Sequence, residues 1–134
     1  MQLNITTDYA IRLVYYLASV GRAAGRAEIS DNMCIPRSSF GPIAQPLKQG
    51  GILDTQRGAS GGYLLTKRPE DISLGEIINI MENTTRINCC LEEGQPCSRH
   101  AADSCPMRKF YSHIQLWLDK TFAQKTIASL LADG

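Results

Sequence analysis

With 134 residues, 43% of them hydrophobic and 20% charged, the chain has the size and make-up of one domain able to bury a core. No apolar run approaches the ~18 residues of a membrane helix, and Met1-Gln2-Leu3-Asn4-Ile5 lacks the pattern of a signal peptide, so a cytoplasmic location with no membrane partner is expected. The net charge of +1 conceals an asymmetry: residues 1–68 carry eight bases and four acids, the remainder six bases and nine acids. A basic front half suits a phosphate-facing surface.

In chain order, Thr6 or Thr7 is placed to cap a first helix, with Asp8 in its first turn favourable to the macrodipole. Ile11, Val14, Tyr15 and Ala18 repeat at helical spacing until Gly21 and Gly25 interrupt. A short helix over Arg26 to Met33 follows, burying Ile29 and Met33, with Cys34 read as a small buried apolar group. Ile35-Pro36 marks a turn into a further helix that runs to Gly50-Gly51, making a helix-turn-helix. Arg37, Ser38 and Ser39 open that second helix, where a recognition helix meets base edges and phosphates, and Lys48 is a further phosphate contact. Pro42 and Pro46 fall inside it, so either it begins as late as Ser38 or Ser39, with Pro42 in its first turn, or it is kinked.

Two strands, Ile52–Gln56 and Gly62–Thr66, flank Arg57-Gly58-Ala59-Ser60-Gly61, a hairpin with the glycine-rich tip of a wing. Arg57 is expected to reach phosphate or the minor groove, with Gly58, Ala59, Ser60, Gly61, Gly62 and Tyr63 shaping the DNA-facing tip. Ser73-Leu74-Gly75-Glu76 reads as a capping box with an Ile72/Ile77 staple, opening a helix to about Asn83.

Cys90-x6-Cys97-x7-Cys105 then brackets a stretch with almost nothing to pack, a length of loop that is uncommon unless functional or tied down. An odd number of cysteines, five, argues against disulfide staples and for metal or redox chemistry. Soft thiolates suit iron–sulfur centres, whereas the spacing is not the paired C-x-x-C of a zinc ribbon. Thiols that form a disulfide beside Arg99 and Arg108 are the alternative, and Cys89 can stand in for Cys90.

Pro106 suits a first helical turn, and Met107, Phe110, Tyr111, Ile114, Trp117, Leu118 and Thr121 form an apolar stripe along the helix it opens. Exposed on a monomer, that stripe is most simply covered by a two-fold partner, which makes Phe110, Tyr111, Ile114, Trp117 and Leu118 the expected homodimer interface. The fold class that emerges is mainly α with a small β-hairpin wing: a winged helix-turn-helix over 1–88, a cysteine loop over 89–105, and a long dimerisation helix with a C-terminal tail over 106–134.

The order of these elements, the Arg57-Gly58-Ala59-Ser60-Gly61-Gly62-Tyr63-Leu64-Leu65 wing, Ile72-Ser73-Leu74-Gly75-Glu76-Ile77-Ile78 and the three spaced cysteines resemble the bacterial winged-helix repressor family that includes IscR and NsrR. The resemblance covers nearly the whole chain. It implies a homodimer that binds double-stranded promoter DNA, with an iron–sulfur cluster (2Fe–2S or 4Fe–4S) in each subunit's cysteine loop, close to the partner's first helix. Such a regulator changes operator affinity with redox state, nitric oxide or cluster supply. IscR-like members place a His soon after the last cysteine; here Pro106-Met107-Arg108 stand there, so the resemblance points to Asp8, or to His100 within the loop, as fourth ligand.

Two rival readings remain from the residues: a cluster-free regulator switched by a disulfide or zinc, and a small iron–sulfur electron carrier. The carrier has no use for a basic wing. No nucleophile–base pair or nucleotide loop marks an enzyme.

Overall fold

The computed structural model describes all 134 residues. Helix α1 (Ile5–Val20) is capped by Asn4, whose side-chain oxygen accepts from the Thr6 amide at 3.0 Å, so the cap is neither Thr6 nor Thr7. Thr7 instead lies inside the helix, fully buried, its hydroxyl donating to Glu82 Oε1 at 2.6 Å. The buried face is Thr7, Ala10, Leu13, Val14 and Leu17. Ile11, Tyr15 and Ala18 sit at its half-buried flanks, because α1 is packed by neighbours on several sides. Gly21, at φ 64, closes the helix with its N–H on Leu17 O.

Helix α2 (Arg26–Met33) matches its predicted bounds, burying Ile29 while Met33 stays half-buried. Cys34 corrects the expectation of a buried thiol: it is exposed, in the left-handed cap position at φ 53. The apolar slot between the helices goes to Ile35, 1% exposed. A 3-10 turn over Arg37–Ser39 leads into α3 (Phe40–Gln49). The late start puts Pro42 in the first turn, where its missing N–H costs nothing. Pro46 is interior and leaves one carbonyl without its helical partner, yet α3 persists because Phe40, Ile43, Ala44 and Leu47 are buried.

Strand β1 (Leu53–Gln56) pairs antiparallel with β2 (Gly62–Leu65), Leu53 opposite Leu65 and Gln56 opposite Gly62. Ser73 caps α4 (Leu74–Met81) by accepting from the Glu76 amide at 3.1 Å. The predicted capping box is only half formed, since the Glu76 carboxylate turns to Lys67 Nζ at 2.6 Å. Ile72 and Ile77 are fully buried, as a staple requires.

Helix α5 (Pro106–Gln124) supplies nothing to the core cluster of sixteen residues and buries only Gln115. The segment beyond it is no loose tail. Thr126 and Ser129 form a full capping box opening α6 (Ile127–Asp133). Leu74 N–H donates to Lys125 O at 2.8 Å and Ile127 N–H to Ile72 O at 2.9 Å, stitching the chain's end to the start of α4. Ile127 is fully buried, and α6 packs back on α1. The fold is thus a helical head with a two-stranded wing; α5 packs on α4 and against the start of the cysteine loop. No helix is long and apolar enough to cross a membrane.

Candidate functional site

Two groups of predicted residues fall at separate places on the fold. The first surrounds the wing. Arg37 and Ser38 are exposed in the turn before α3, Ser39 is half-buried, and Lys48 near the end of α3 lies 3.5 Å from Thr55 Oγ1 on β1. Arg57, Gly58, Ala59 and Ser60 are exposed at the hairpin tip.

The glycines there have distinct structural reasons. A Cβ on Gly61 would lie 2.2 Å from Gln56 O, and one on Gly62 would lie 2.2 Å from Ala24 O, with Gly62 at φ 142. Gly58 (φ 108) meets nothing within 4 Å. Two of the glycines therefore serve close backbone approach, and only the tip is open to a ligand.

Tyr63, expected at the DNA, is half-buried and holds the wing to the head. Its backbone exchanges hydrogen bonds with Ala24, at 2.8 and 3.0 Å. Its ring stacks on Phe40, centroids 5.8 Å apart and planes 18° from parallel. Its hydroxyl accepts from Arg26 at 3.3 Å, and the same guanidinium lies 5.6 Å from the Phe40 ring centre. Behind this seam Arg22 and Tyr16 both donate to Glu28, holding its carboxyl below the usual range.

The second group is the cysteine loop. All five thiols are free; Cys90, Cys97 and Cys105 are half-buried, Cys89 exposed. Two of the three half-buried sulfurs meet side-chain nitrogen donors. Asn88 Nδ2 lies 3.3 Å from Cys90 Sγ, and an Arg99 guanidinium nitrogen 3.8 Å from Cys105 Sγ. The Ala101 and Arg99 backbone amides, with the Arg99 charge, hold the Cys97 thiol below its ordinary pKa against the opposing pull of burial. His100 stands in the left-handed region at φ 50, and its N–H closes the turn on Cys97 O at 2.9 Å.

Asp8 is half-exposed on α1, ion-paired to Arg12 at 2.6 Å. Within one chain no three His, Cys, Asp or Glu side chains converge where a metal could be held. Cysteine sulfurs with N–H groups beside them are the kind of ligand that can hold and tune an iron–sulfur cluster.

The residue that ties this loop down was not singled out from the sequence. Gln115, 4% exposed, accepts from Ile87 N–H at 2.8 Å and donates to Thr85 O at 2.9 Å and Asp119 Oδ1 at 2.8 Å. Arg108 Nε adds a bond to Cys90 O at 3.0 Å. The arm carrying Cys89 and Cys90 is thus latched to α5. A polar residue between Ile114 and Leu116 reads as solvated, and only the tertiary contact marks it as buried.

Gln115→Leu leaves the Ile87 amide and Thr85 carbonyl without partners, at about 1–3 kcal/mol for each group that stays dry. The expected result is a lower melting temperature, together with faster amide hydrogen exchange confined to residues 85–91 and the facing turn of α5.

Known structures share the whole architecture. CymR (YrzC), the global cysteine regulator of B. subtilis, superposes with a TM-score of 0.83 at 20% identity, over 100% of this chain and 98% of that one. IscR of T. potens gives 0.78 at 19% identity, over 99% and 88%. The oxidised form of Staphylococcus aureus CymR gives 0.73 at 20%, over 97% and 95%. At these identities the likeness speaks to the fold, a winged helix. Residues 3–133 match the family described as Rrf2, iron-dependent transcriptional regulator, and with that span the chain belongs to the Rrf2 family of transcriptional regulators.

Proposed function

We propose that this regulator acts as a homodimer on double-stranded promoter DNA, its operator affinity set by one iron–sulfur cluster per subunit. Cys90, Cys97 and Cys105 would hold the cluster, with the carboxylate of Asp8 of the partner subunit as fourth ligand. The observation that carries this reading is the trio of half-buried cysteines on a loop latched to α5, with side-chain nitrogen donors beside Cys90 and Cys105. The likeness to an IscR and the iron-dependent family description support it further.

A bound cluster supplies a centre that responds to redox state and nitric oxide. The rest is done by the chain. Its loop orders around the thiols, and Gln115 and Arg108 pass that order to α5. The exposed Phe110 (61%) and Trp117 (64%), with Ile114 and the half-buried Tyr111 and Leu118, offer α5 to a second copy. The pose of α5 then sets the distance between two recognition helices, which must match half-sites about 34 Å apart.

The test is an absorption spectrum with iron and sulfide analysis of protein purified without oxygen, beside promoter binding. The parent is expected to be coloured, and Cys97→Ala to lose the colour and shift operator affinity at least tenfold. A second reading is favoured by the free thiols and by the lack of any converged ligand trio within one chain. In it the same cysteines act as a cluster-free thiol switch, a reading to which the oxidised CymR structure also lends support. Colourless protein whose DNA affinity follows thiol oxidation would establish that second reading and end the first.

A further inference from the structure

Eight basic side chains lie in residues 1–68, and four of them are committed to carboxylates. Arg12 pairs with Asp8, Arg22 with Glu28, Lys67 with Glu76 and Arg68 with Asp71. The remaining four are Arg26, Arg37, Lys48 and Arg57, and no ion pair engages them. Three of these are the bases already assigned to DNA. Arg26 is the fourth.

Its position is specific. Arg26 is the exposed first residue of α2, and its guanidinium touches two side chains that bracket the DNA-facing elements. Phe40, 5.6 Å away, directly follows the Arg37-Ser38-Ser39 turn. Tyr63, whose hydroxyl is 3.3 Å away, directly follows Gly62 of the wing. The guanidinium therefore occupies the seam between recognition helix and wing. Its two neighbours are a π face and a phenol hydroxyl, neither of them a carboxylate, and they orient the charge without an ion pair. The wing is already held to the head by the Phe40–Tyr63 stack and the Ala24 bonds, so Arg26 is not needed as a clamp. An oriented guanidinium with free donors matches the geometry of a phosphate oxygen pair.

We infer that Arg26 grips a backbone phosphate of bound DNA, between the contacts of the α3 turn and those of the wing tip. This rests on the DNA-binding reading above. Because the contact is to phosphate, it operates on any duplex and carries no sequence preference.

The probe is a random-sequence DNA duplex, with binding measured across a salt series for the parent, Arg57→Ala, Arg26→Ala and Arg26→Lys. Each lost phosphate contact lowers the slope of log affinity against log salt by about 0.9 per copy of the chain on the duplex. Arg26→Ala is expected to show that loss with an unchanged melting temperature, and Arg26→Lys to keep most of the slope. Weaker binding by Arg26→Ala at the parent's slope would assign Arg26 to holding the wing and overturn the inference. So would parental affinity and slope. A reduced slope in Arg57→Ala alone leaves the DNA reading standing while Arg26 falls, whereas a flat slope in the parent removes both.

Discussion

Gly62→Ala is expected to unpin the wing. Gly62 sits at φ 142, a region that side-chain-bearing residues rarely adopt, and the strain alone is worth about 1–3 kcal/mol. The added Cβ would also stand 2.2 Å from Ala24 O, a backbone atom that has no flexible end to yield. Relief requires β2 to move away from Ala24, which breaks the pair of bonds at 2.8 and 3.0 Å through which Tyr63 anchors the hairpin. The variant should melt several degrees lower and bind promoter DNA at least tenfold more weakly. Gly58→Ala is the control. Its φ of 108 carries comparable strain, but nothing lies within 4 Å of the new methyl, so the loss stays at the tip. Equal effects of the two substitutions on hairpin anchoring, read from amide exchange at Ala24 and Tyr63, would show that the close approach is unimportant.

Phe40→Ala should be the most destabilising single change in the head. The side chain is fully buried at the entry of α3, and it is both the stacking partner of Tyr63 and the seat of Arg26. Truncating a buried Phe costs about 3–5 kcal/mol through lost burial and the cavity left behind. A domain's whole stability is about 5–15 kcal/mol, so a fall in melting temperature of roughly 10–20 °C is expected. Phe40→Leu keeps most of the volume and should recover much of that stability. It removes the ring, however, so its DNA affinity should remain below the parent's. Calorimetry and promoter binding on the two variants separate the packing role from the aromatic one. If Phe40→Leu restored affinity fully, the stack would have no part in placing the wing.

The head was legible in the sequence where local rules decide. Gly21 ends α1, α2 takes its predicted bounds, and the hairpin strands agree to within a residue at their outer ends, because caps and turns act over three or four positions. The phase of α1 was not legible. It is packed on several sides, so apolar residues occur nearly all round it, and its buried Thr7 is satisfied by Glu82, a partner 75 positions away. The box at Ser73 formed only in half for a similar reason, since Lys67 competes for the Glu76 carboxylate. Cys34 followed composition statistics in the sequence and backbone geometry in the structure. At the thiol loop the cysteine spacing was plain, whereas the latch at Gln115 and the seat of Arg26 exist only once distant elements meet. Nothing local in the sequence marks Gln115 as buried, and Arg26 is one of eight bases in the front half.

The stitch between residues 125–127 and 72–74 makes the far end of α5 a pivot. A 19-residue helix is about 28 Å long, so a shift of 1 Å at the Cys105 end corresponds to a turn of only about 2° at that pivot. The strut gears motion down. A chemical event at the thiols that moves their end by about 1–2 Å would reach the head as a swing of about 2–4°, small enough to preserve its core and large enough, when doubled by the symmetry of the proposed dimer, to misalign two wings on one duplex.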